Sequence, residues 1–268
     1  MQAPEADLAL LLNAAHAAGK IACRHFGQGP KSWDKGSGQG PVSEADLEVN
    51  AMLAAQLRDA RPDYGWLSEE NEDHPDRLIR DRVFIIDPID GTRAFLEGQS
   101  GFAHALAVVE NGNPVAAVIH LPKLGLTYHA SAGGGAWLGE QRLQVTACSQ
   151  VAGARALITR AQMAPQYWPG GVPALDRHFR TSLAWRMALI AEGRYDAMIT
   201  LRKTWHWDTV AGALMISEAG GKVSTGHGAA VNFNTVDPFS DGIVAASPAL
   251  HAGLMAHRRS QSEVGDEG

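Results

Sequence analysis

Hydrophobic residues at the start of the chain recur with the spacing of helices. In residues 6–26 they return every three or four positions, which predicts a first amphipathic helix. A loop rich in Gly, Lys and Ser follows at residues 27–41. Ser43 is then a suitable N-cap for a second helix, whose apolar stripe reaches Leu57 and which Pro62 ends.

The pattern then changes to that of β-strands. A short strand is predicted at 65–68. The uninterrupted apolar run at 83–86 predicts a strand that is covered on both faces and that ends at Asp87. Further strands, with turn residues between them, are predicted at 103–109, 114–120 and 126–130. The first half of the chain therefore combines helices with a mainly antiparallel sheet.

The second half alternates between the two kinds of element. Strands are predicted at 156–158, 197–199 and 242–246, and helices at 185–192 and 209–219. Such alternation is typical of an α/β arrangement. We expect a boundary near 147–153, which divides an α/β-class chain into an N-terminal α+β half, 1–150, and a C-terminal α/β half, 151–268.

Composition narrows the classes of function without choosing one. The 268 residues suffice for a large buried core. No apolar run approaches the roughly 18 residues of a membrane span, and Glu5 and Asp7 lie where a signal peptide needs positive charge. Cys23 and Cys148 form no disulfide framework, so we expect a reducing, cytoplasmic compartment. The formal net charge of −6 argues against a nucleic-acid polymer as partner, and we expect no membrane partner.

The segment Asp-Pro-Ile-Asp-Gly-Thr carries the most chemical information. Asp87 and Asp90 are three positions apart at the end of a predicted strand, where ligand sites are common. Two carboxylates and a freed carbonyl, that of Ile89, suit Mg²⁺. Gly91 and Thr92 then offer backbone N–H groups to a phosphate at the start of a helix. The alternative is an ordinary strand-to-helix turn in which Asp90 is only an N-cap.

Three further acidic segments each end a predicted strand or begin a predicted helix. Glu69 and Glu70 follow the strand at 65–68, although such acids often belong to a solvated loop. Asp208 could be a simple N-cap, and Asp46 could be the partner of Ser43 in a capping box. Taken together, the clusters indicate a phosphatase site that binds several metal ions.

These motifs resemble those of the inositol monophosphatase superfamily, and the resemblance covers nearly the whole chain. The matching segments are Pro-Val-Ser-Glu-Ala-Asp at 41–46, Ser-Glu-Glu at 68–70, Asp-Pro-Ile-Asp-Gly-Thr at 87–92, Trp-Asp-Thr-Val-Ala-Gly at 207–212 and Glu-Ala-Gly-Gly at 218–221. The resemblance implies a layered α/β/α/β/α sandwich, Mg²⁺ dependence and inhibition by Li⁺. Members act on inositol monophosphates, 3′-phosphoadenosine 5′-phosphate, fructose 1,6-bisphosphate or histidinol phosphate.

The resemblance also implies a set of ligands for two to three Mg²⁺ ions. Glu69, Asp87 and the carbonyl of Ile89 would hold the first ion, and Asp87, Asp90 and Asp208 the second. A third, weaker ion would lie near Glu69. The N-terminal half would therefore supply most ligands and the C-terminal half would supply Asp208.

Catalytic roles follow from the same resemblance. Thr92, held by Asp46, would orient or deprotonate the attacking water, and Glu69 would act through the first metal ion. Lys35 matches a lysine of the family near the site, with no role assigned. His206 lies close to a motif, and packing or lining of the pocket is favoured over catalysis.

Substrate preference is predicted from the strand before Asp208. Inositol monophosphatases carry an acidic residue there, and alignment from Gly193 places Thr200 at that position, followed by Arg202 and Lys203. The loss of a carboxylate and the gain of two cations favour a substrate with a second negative group. The predicted phosphate- and substrate-binding residues are therefore Asp90, Gly91, Thr92, Thr200, Arg202 and Lys203.

The spacing from Gly193 to Asp208 and the Leu-Ser-Glu-Glu form of the early motif resemble the bacterial 3′(2′),5′-bisphosphate nucleotidases more than the inositol monophosphatases. We therefore predict a phosphatase for the 3′-phosphate of 3′-phosphoadenosine 5′-phosphate. The alternatives are an inositol-1-monophosphatase or a broad-specificity sugar or polyol phosphatase. A phosphate-binding regulatory protein on the same fold is the non-enzymatic alternative. The partner would be a small phosphorylated metabolite, and a homodimer is left open.

Overall fold

The computed structural model of the chain describes residues 4–36 and 40–259. Within these residues the α-helices are Pro4–His25 (α1), Glu44–Ala60 (α2), Thr92–Leu96 (α3), Leu183–Ala191 (α4), His206–Glu218 (α5) and Pro248–Arg258 (α6). Ser43 caps α2, and its hydroxyl and the side chain of Asp46 form the predicted capping box. None of the helices in this part of the chain is both long and apolar enough to cross a membrane.

The strands lie in two large sheets and one hairpin. In chain order they are Ser32–Asp34 (β1), Pro41–Ser43 (β2), Gly65–Ser68 (β3), Arg82–Asp90 (β4), Ala103–Glu110 (β5), Asn113–Leu121 (β6), Leu126–Ser131 (β7), Gly135–Leu138 (β8), Gln141–Arg142 (β9), Arg155–Leu157 (β10), Asp176–His178 (β11), Ala197–Trp205 (β12), Lys222–Ser224 (β13) and Phe239–Ala246 (β14). Strands β1 and β2 form the antiparallel hairpin.

The larger sheet has seven strands in the order β3-β4-β5-β6-β7-β8-β9. Strands β3 and β4 are parallel, and every other pair is antiparallel, as the sequence predicts for the first half. The smaller sheet has the order β11-β10-β12-β14-β13. Its first three strands are parallel and its last three are antiparallel.

Three hydrophobic clusters bind the layers together. Along β4, Phe84 and Ile86 pack with α1 and α2, whereas Val83 and Ile85 pack with α4 and α5 on the other face. This explains why the run is uninterrupted, since side chains alternate between two covered faces. In the smaller sheet, one face packs with α4 and α5, and the other face packs with α6. The predicted α/β/α/β/α sandwich is confirmed.

Some elements differ from the sequence prediction. The segment predicted as a loop at 27–41 contains β1, whose three residues are all exposed and so show no hydrophobic alternation. Helix α6 was not predicted, and the polar tail after His257, for which fraying is predicted, lies largely outside the described residues. Strand β12 continues to Trp205 through polar residues that the prediction at 197–199 leaves out. The division of the chain near residue 150 stays a prediction.

Candidate active site

Strand β4 carries the two acids of the Asp-Pro-Ile-Asp segment on a β-bulge. The register with β5 pairs the residues on either side of the bulge: Asp87 with Ala105 and Asp90 with Ala103. Pro88 and Ile89 therefore lie opposite a single residue of β5, His104. Side chains three positions apart in a regular strand point to opposite faces, so the extra residue brings Asp87 and Asp90 to the same face. Proline has no N–H for the ladder and is tolerated at such a bulge.

Helix α5 adds a third carboxylate to this pair. The helix begins at His206 with Trp205 as its N-cap, so Asp208 lies within the first turn and is not the N-cap considered from the sequence. Carboxylate oxygens of Asp87, Asp90 and Asp208 all lie within 4.8 Å of one another. The fold thus brings together three of the predicted metal ligands from two elements that are distant in the sequence.

The three carboxylates disfavour one another's charge. Burial raises the pKa of Asp87 well above its usual value, and the charges of Glu69, Asp90 and Asp208 raise it further. Burial also raises the pKa of Asp90 to about 6 and that of Asp208 well above the usual range. Among the described residues, Oδ1 of Asp87 is buried without a hydrogen-bond partner. These oxygens fit a hard divalent cation, which would bind the unpaired oxygen and neutralise the repulsion.

Asp90 is held from another helix. Its Oδ2 accepts hydrogen bonds of 2.6 Å from the hydroxyl of Ser182 and of 2.6 Å from the backbone N–H of Ala184, at the start of α4. Gly91, not Asp90, is the N-cap of the short helix α3. The N-cap alternative for Asp90 is therefore wrong. Sequence reasoning missed Ser182, although a serine before an apolar helical run is a helix-start signal.

Glu69 follows β3 and lines the same cavity as the three acids. Its Oε1 lies 2.9 Å from Nζ of Lys35, which also donates to Glu70 over 2.6 Å. Burial opposes the charge of Lys35, but the two glutamates outweigh this effect and raise its pKa. Burial and the charge of Glu69 raise the pKa of Glu70 to about 7. Lys35 thus holds Glu69 and Glu70 beside the three aspartates. The two glutamates are therefore not part of a freely solvated loop, the alternative considered from the sequence.

Thr92 and Asp46 form the other predicted part of the site. Oγ1 of Thr92 lies 3.1 Å from Oδ1 of Asp46 and 3.0 Å from the carbonyl oxygen of Ile89. Asp46 also accepts a hydrogen bond of 2.9 Å from the backbone N–H of Ser43. Asp46 therefore caps α2 and orients Thr92 at once. Burial raises the pKa of Asp46, and the hydrogen bonds from Ser43 and Thr92 oppose that rise.

A cavity of about 760 Å³ connects these groups with the C-terminal half of the chain. Most of the predicted site residues line it: Glu69, Asp87, Ile89, Asp90, Gly91, Thr92, Thr200, Arg202 and Asp208. Asp46 is linked to the cavity through Thr92. Lys203 does not line it, because its Nζ lies over the ring of Phe239, 3.2 Å from the ring centroid.

A second bulge, in β12, separates Arg202 from Lys203. Residues on either side of it pair with β14: Thr200 with Ile243 and Lys203 with Asp241. Leu201 and Arg202 therefore lie opposite Gly242, whose φ is +75°. A Cβ at Gly242 would lie 2.5 Å from the carbonyl oxygen of Thr200, so only glycine permits this packing. The predicted pair of substrate-binding cations is corrected, since only Arg202 reaches the cavity.

Arg186 of α4 also lines the cavity, and sequence reasoning missed it. Its Nε donates to the carbonyl of Arg180, and its Nη2 lies 3.4 Å from the carbonyl oxygen of Thr181. Burial lowers the pKa of Arg186 to about 10, and the charge of Arg202 adds to this against an opposing contribution from Asp90. Two arginines, Arg186 and Arg202, thus line the cavity beside the acids.

A sequence profile of the inositol monophosphatase family matches residues 4–263. The chain belongs to the inositol monophosphatase family. Enzymes of this family are metal-dependent phosphatases, so the predicted enzyme class, a phosphoric monoester hydrolase, is confirmed.

Relatives of this inositol monophosphatase family member include proteins with different names. An inositol-1-monophosphatase of Rhizobium meliloti is 34% identical over 232 residues, which are 82% of this chain and 85% of that protein. A 3′(2′),5′-bisphosphate nucleotidase CysQ of Aggregatibacter actinomycetemcomitans is 30% identical over 200 residues, or 68% of this chain and 70% of that protein. The crystal structure of the extragenic suppressor protein suhB of Bartonella henselae superposes with a TM-score of 0.79 at 28% identity, covering 96% of this chain and 99% of that chain. Relatives of similar identity to this chain are thus named for different activities.

A glycine-rich turn and His206 both lie outside the cavity of this family member. Gly133 and Gly135 turn between β7 and β8, and their N–H groups donate to the carboxylate of Glu218 over 2.9 Å each. The glycine-rich turn thus binds an anion of the chain itself. His206 is buried with its ring edge against Phe233, and neither ring nitrogen has a partner within the described ranges.

Proposed function

We infer that this family member is a Mg²⁺-dependent, Li⁺-inhibited phosphatase that removes the 3′-phosphate of 3′-phosphoadenosine 5′-phosphate. The observation that carries the proposal is the pair Arg186 and Arg202, which lines the cavity next to the carboxylate cluster. A phosphomonoester with one phosphate would place its charge at the metals. A second phosphate needs a cationic partner of its own.

The two arginines supply that partner at short range. Arg202 is exposed toward the cavity, and Arg186 is held by backbone carbonyls, so less of its freedom would be lost on binding an anion. A charge-assisted hydrogen bond to a phosphate is worth roughly 1.5–3 kcal/mol. That energy corresponds to roughly a tenfold to hundredfold preference over a substrate without the second phosphate.

Aromatic side chains in the cavity favour a nucleotide over a polyol. Phe179 and Tyr167 line it, and the ring of Phe179 is 44% exposed. The guanidinium carbon of Arg186 lies 4.3 Å from the centroid of the Phe179 ring, which supports the ring from one side. Stacking of a base on such a ring contributes about 1–3 kcal/mol, which inositol cannot gain in the same way.

Mg²⁺ would be held by the predicted ligands. Glu69, Asp87 and the Ile89 carbonyl would bind one ion, Asp87, Asp90 and Asp208 a second, and a third, weaker ion would lie near Glu69. Oxygen-only ligands suit Mg²⁺, and Asp87, which belongs to both predicted ligand sets, has an oxygen without a hydrogen-bond partner among the described residues. When bound, Mg²⁺ would supply positive charge to the phosphate and acidify the attacking water.

Residues of the chain would accept the proton of the attacking water and orient the phosphate. The single hydroxyl proton of Thr92 is shared between Asp46 and the Ile89 carbonyl, so the oxygen of Thr92 keeps lone pairs with which to accept a proton from water. As the hydroxyl of Thr92 takes the proton of the water, its own proton would pass to Oδ1 of Asp46, 3.1 Å away, so Asp46 would be the final acceptor. Asp90, Gly91 and Thr92 would orient the phosphate, and Thr200 would leave room for a nucleotide where an acid would repel it.

A substrate panel on the purified protein tests this proposal. We expect kcat/KM for 3′-phosphoadenosine 5′-phosphate to exceed that for inositol 1-phosphate by at least about tenfold, with adenosine 5′-phosphate as the product. EDTA should abolish phosphate release, and Mg²⁺ should restore it. Better turnover of inositol 1-phosphate would overturn the proposal in favour of the activity named for the Rhizobium meliloti relative. Binding of phosphate without release would instead indicate a regulatory protein.

A further inference from the structure

The metal-binding bulge of β4 is supported from behind by a histidine. His104 lies on β5 directly opposite Pro88 and Ile89, and it is fully buried. Its Nδ1 lies 2.5 Å from the carbonyl oxygen of Pro88. A carbonyl can only accept, so Nδ1 must carry the proton. His104 therefore donates a hydrogen bond to the peptide between the two metal-binding acids.

Both carbonyls of the bulge are bonded by side chains. Pro88 and Ile89 have no register partners in β5, since the paired residues are Asp87 and Asp90. The Ile89 carbonyl accepts from Thr92, and the Pro88 carbonyl accepts from His104. The first contact lies on the cavity side. His104 lies on the opposite face of the sheet, where its ring is 6.1 Å from those of Phe102 and His120.

The pattern along β5 fixes that face. Leu106 and Val108 lie on the same face of the strand as His104 and pack in the cluster of α1 and α2. Ala105 and Ala107 lie on the other face and pack in the cluster of α4 and α5. His104 therefore faces the apolar cluster of α1 and α2, with its ring near Phe102. The imidazole leaves Nε2 buried without a partner in the described part of the chain, a cost that packing alone does not explain.

We propose that His104 is a positioning residue of the metal centre: its Nδ1–H holds the bulge in the form that aims Asp87 and Asp90 at one point, and it thereby sets the affinity for Mg²⁺. The two acids repel each other without metal, so the bulge tends to relax unless something holds it. Pro88 and Ile89 have no register partners in β5, so the Pro88 carbonyl is bonded by the side chain of His104 instead of by the ladder. The inference rests on the acidic cluster as the metal site and is independent of the substrate.

Direct measurement of Mg²⁺ binding tests the role. Partners that orient metal ligands typically contribute about tenfold to a hundredfold in metal affinity. We expect His104→Leu to raise the Kd for Mg²⁺, measured by titration calorimetry on the metal-free protein, by about tenfold. The upward shift in melting temperature that Mg²⁺ produces should shrink accordingly. With Mg²⁺ at saturation, KM should stay within about twofold, because the substrate contacts are unchanged.

Conservative variants separate positioning from packing. The amide nitrogen of Asn can reach the place of Nδ1, so His104→Asn should keep the Kd for Mg²⁺ within about threefold of the wild type. The amide of Gln lies one bond further out, so His104→Gln should resemble His104→Leu. This pair keeps the proposal testable if His104→Leu does not fold.

His120→Leu is the matched control, since it removes a neighbouring buried imidazole that bonds Thr127 and does not contact Pro88. It should lower the melting temperature and leave the Kd for Mg²⁺ unchanged. The proposal is overturned if folded His104→Leu binds Mg²⁺ like the wild type. Equal losses in the Asn and Leu variants, or an equal loss in the His120 variant, would also overturn it.

Discussion

Two bulged strands, one from each sheet, contribute to the same cavity, and they are built in opposite ways. In β4, Pro88 and Ile89 lie opposite a residue whose side chain bonds the bulge, His104. In β12, Leu201 and Arg202 lie opposite Gly242, which has no side chain at all. The first bulge is buried along its length, and the second carries the exposed Arg202.

The difference separates two tasks of the site. The β4 bulge must hold like charges close together, so it needs bonds from several elements, including those that α4 makes to Asp90. The β12 bulge presents a cation to the solvent-filled part of the cavity and has only to keep its backbone in place. We therefore expect changes near β4 to affect turnover of every substrate, and changes in β12 to affect the choice among substrates.

The largest effect should follow from removing one charge of the acidic cluster. Asp87→Asn and Asp208→Asn keep the side-chain shape but weaken metal binding, so we expect kcat to fall at least about a thousandfold on all substrates. The repulsion among the acids is relieved at the same time, so melting temperatures in EDTA should be equal to or above that of the wild type. Steady-state kinetics and thermal melting check both expectations.

The exposed Asp63 provides a matched control, since Asp63→Asn removes a carboxylate remote from the cavity. Its kinetics should be those of the wild type. If Asp87→Asn or Asp208→Asn keeps more than about a tenth of the rate, which is less than 1.4 kcal/mol of barrier, the ligand assignment is wrong.

A smaller loss is expected when the β4 side keeps its charges but loses the hydroxyl of Thr92. Groups that accept a proton from the nucleophile typically contribute about a hundredfold or more, so Thr92→Ala should lower kcat by about that factor. KM should change by less than about threefold, because the effect lies in the transition state. Thr92→Ser keeps the hydroxyl and should retain most of the rate. A raised KM at constant kcat would make Thr92 a phosphate-binding residue only.

The two bulges also differ in how well they could be predicted from the sequence. The β4 site is encoded locally, because a buried strand, a proline and two acids three positions apart stand in one short segment. The β12 site depends on register with Gly242, some forty positions later in the chain, and no local signal tells which of Arg202 and Lys203 faces the cavity. Arg186 was missed for a related reason: it lies inside the helix predicted at 185–192, and no local signal tells that its side chain meets the cavity.

The layered sandwich was predicted from the resemblance of the motifs to the inositol monophosphatase superfamily, and the uninterrupted apolar run at 83–86 predicted a strand that is covered on both faces. The edges of the sandwich were not predicted. Strand β1 is short and exposed, and Asp208 suits an N-cap as well as a ligand until the start of α5 is known. Solvent-exposed elements make too few contacts to leave a hydrophobic pattern in the sequence.

The metal-free protein should show the strain of the β4 side as a pH dependence of stability. The pKa of Asp90 is raised to about 6 in the folded state, from a usual value near 4. The folded protein therefore binds more protons than the unfolded chain between these values, and its stability falls as pH rises through this window. The pKa values of Asp87 and Asp208 are also raised by burial, so both groups add to the fall. We expect a loss on the order of 2 kcal/mol, or several degrees in Tm.

Melting curves in EDTA from pH 4.5 to 8, repeated with Mg²⁺, measure this effect. Other groups titrate over the same range, so the informative quantity is the difference between the wild type and Asp208→Asn. That difference should grow with pH in EDTA, and excess Mg²⁺ should reverse its sign, because the wild type binds the ion more tightly and gains more stability from it. A difference that is independent of pH would show that the acids do not repel one another in the folded protein.

The smallest effect should come from the β12 side, where a single contact is changed. Arg202→Ala should lower kcat/KM for 3′-phosphoadenosine 5′-phosphate by about tenfold, the lower end of a charge-assisted contact. The neighbouring Lys203→Ala is the matched control, because its ammonium group lies over the Phe239 ring rather than in the cavity, and it should stay within about twofold. Neither variant should change kcat/KM for inositol 1-phosphate by more than about twofold, since that substrate has no second phosphate.

An equal loss on both substrates would mean that Arg202 acts on the electrostatic field of the metal site rather than on substrate choice. A larger loss in Lys203→Ala would mean that Lys203, and not Arg202, binds the second phosphate. The second phosphate would then lie outside the cavity, on the side of the β12 bulge that carries Lys203.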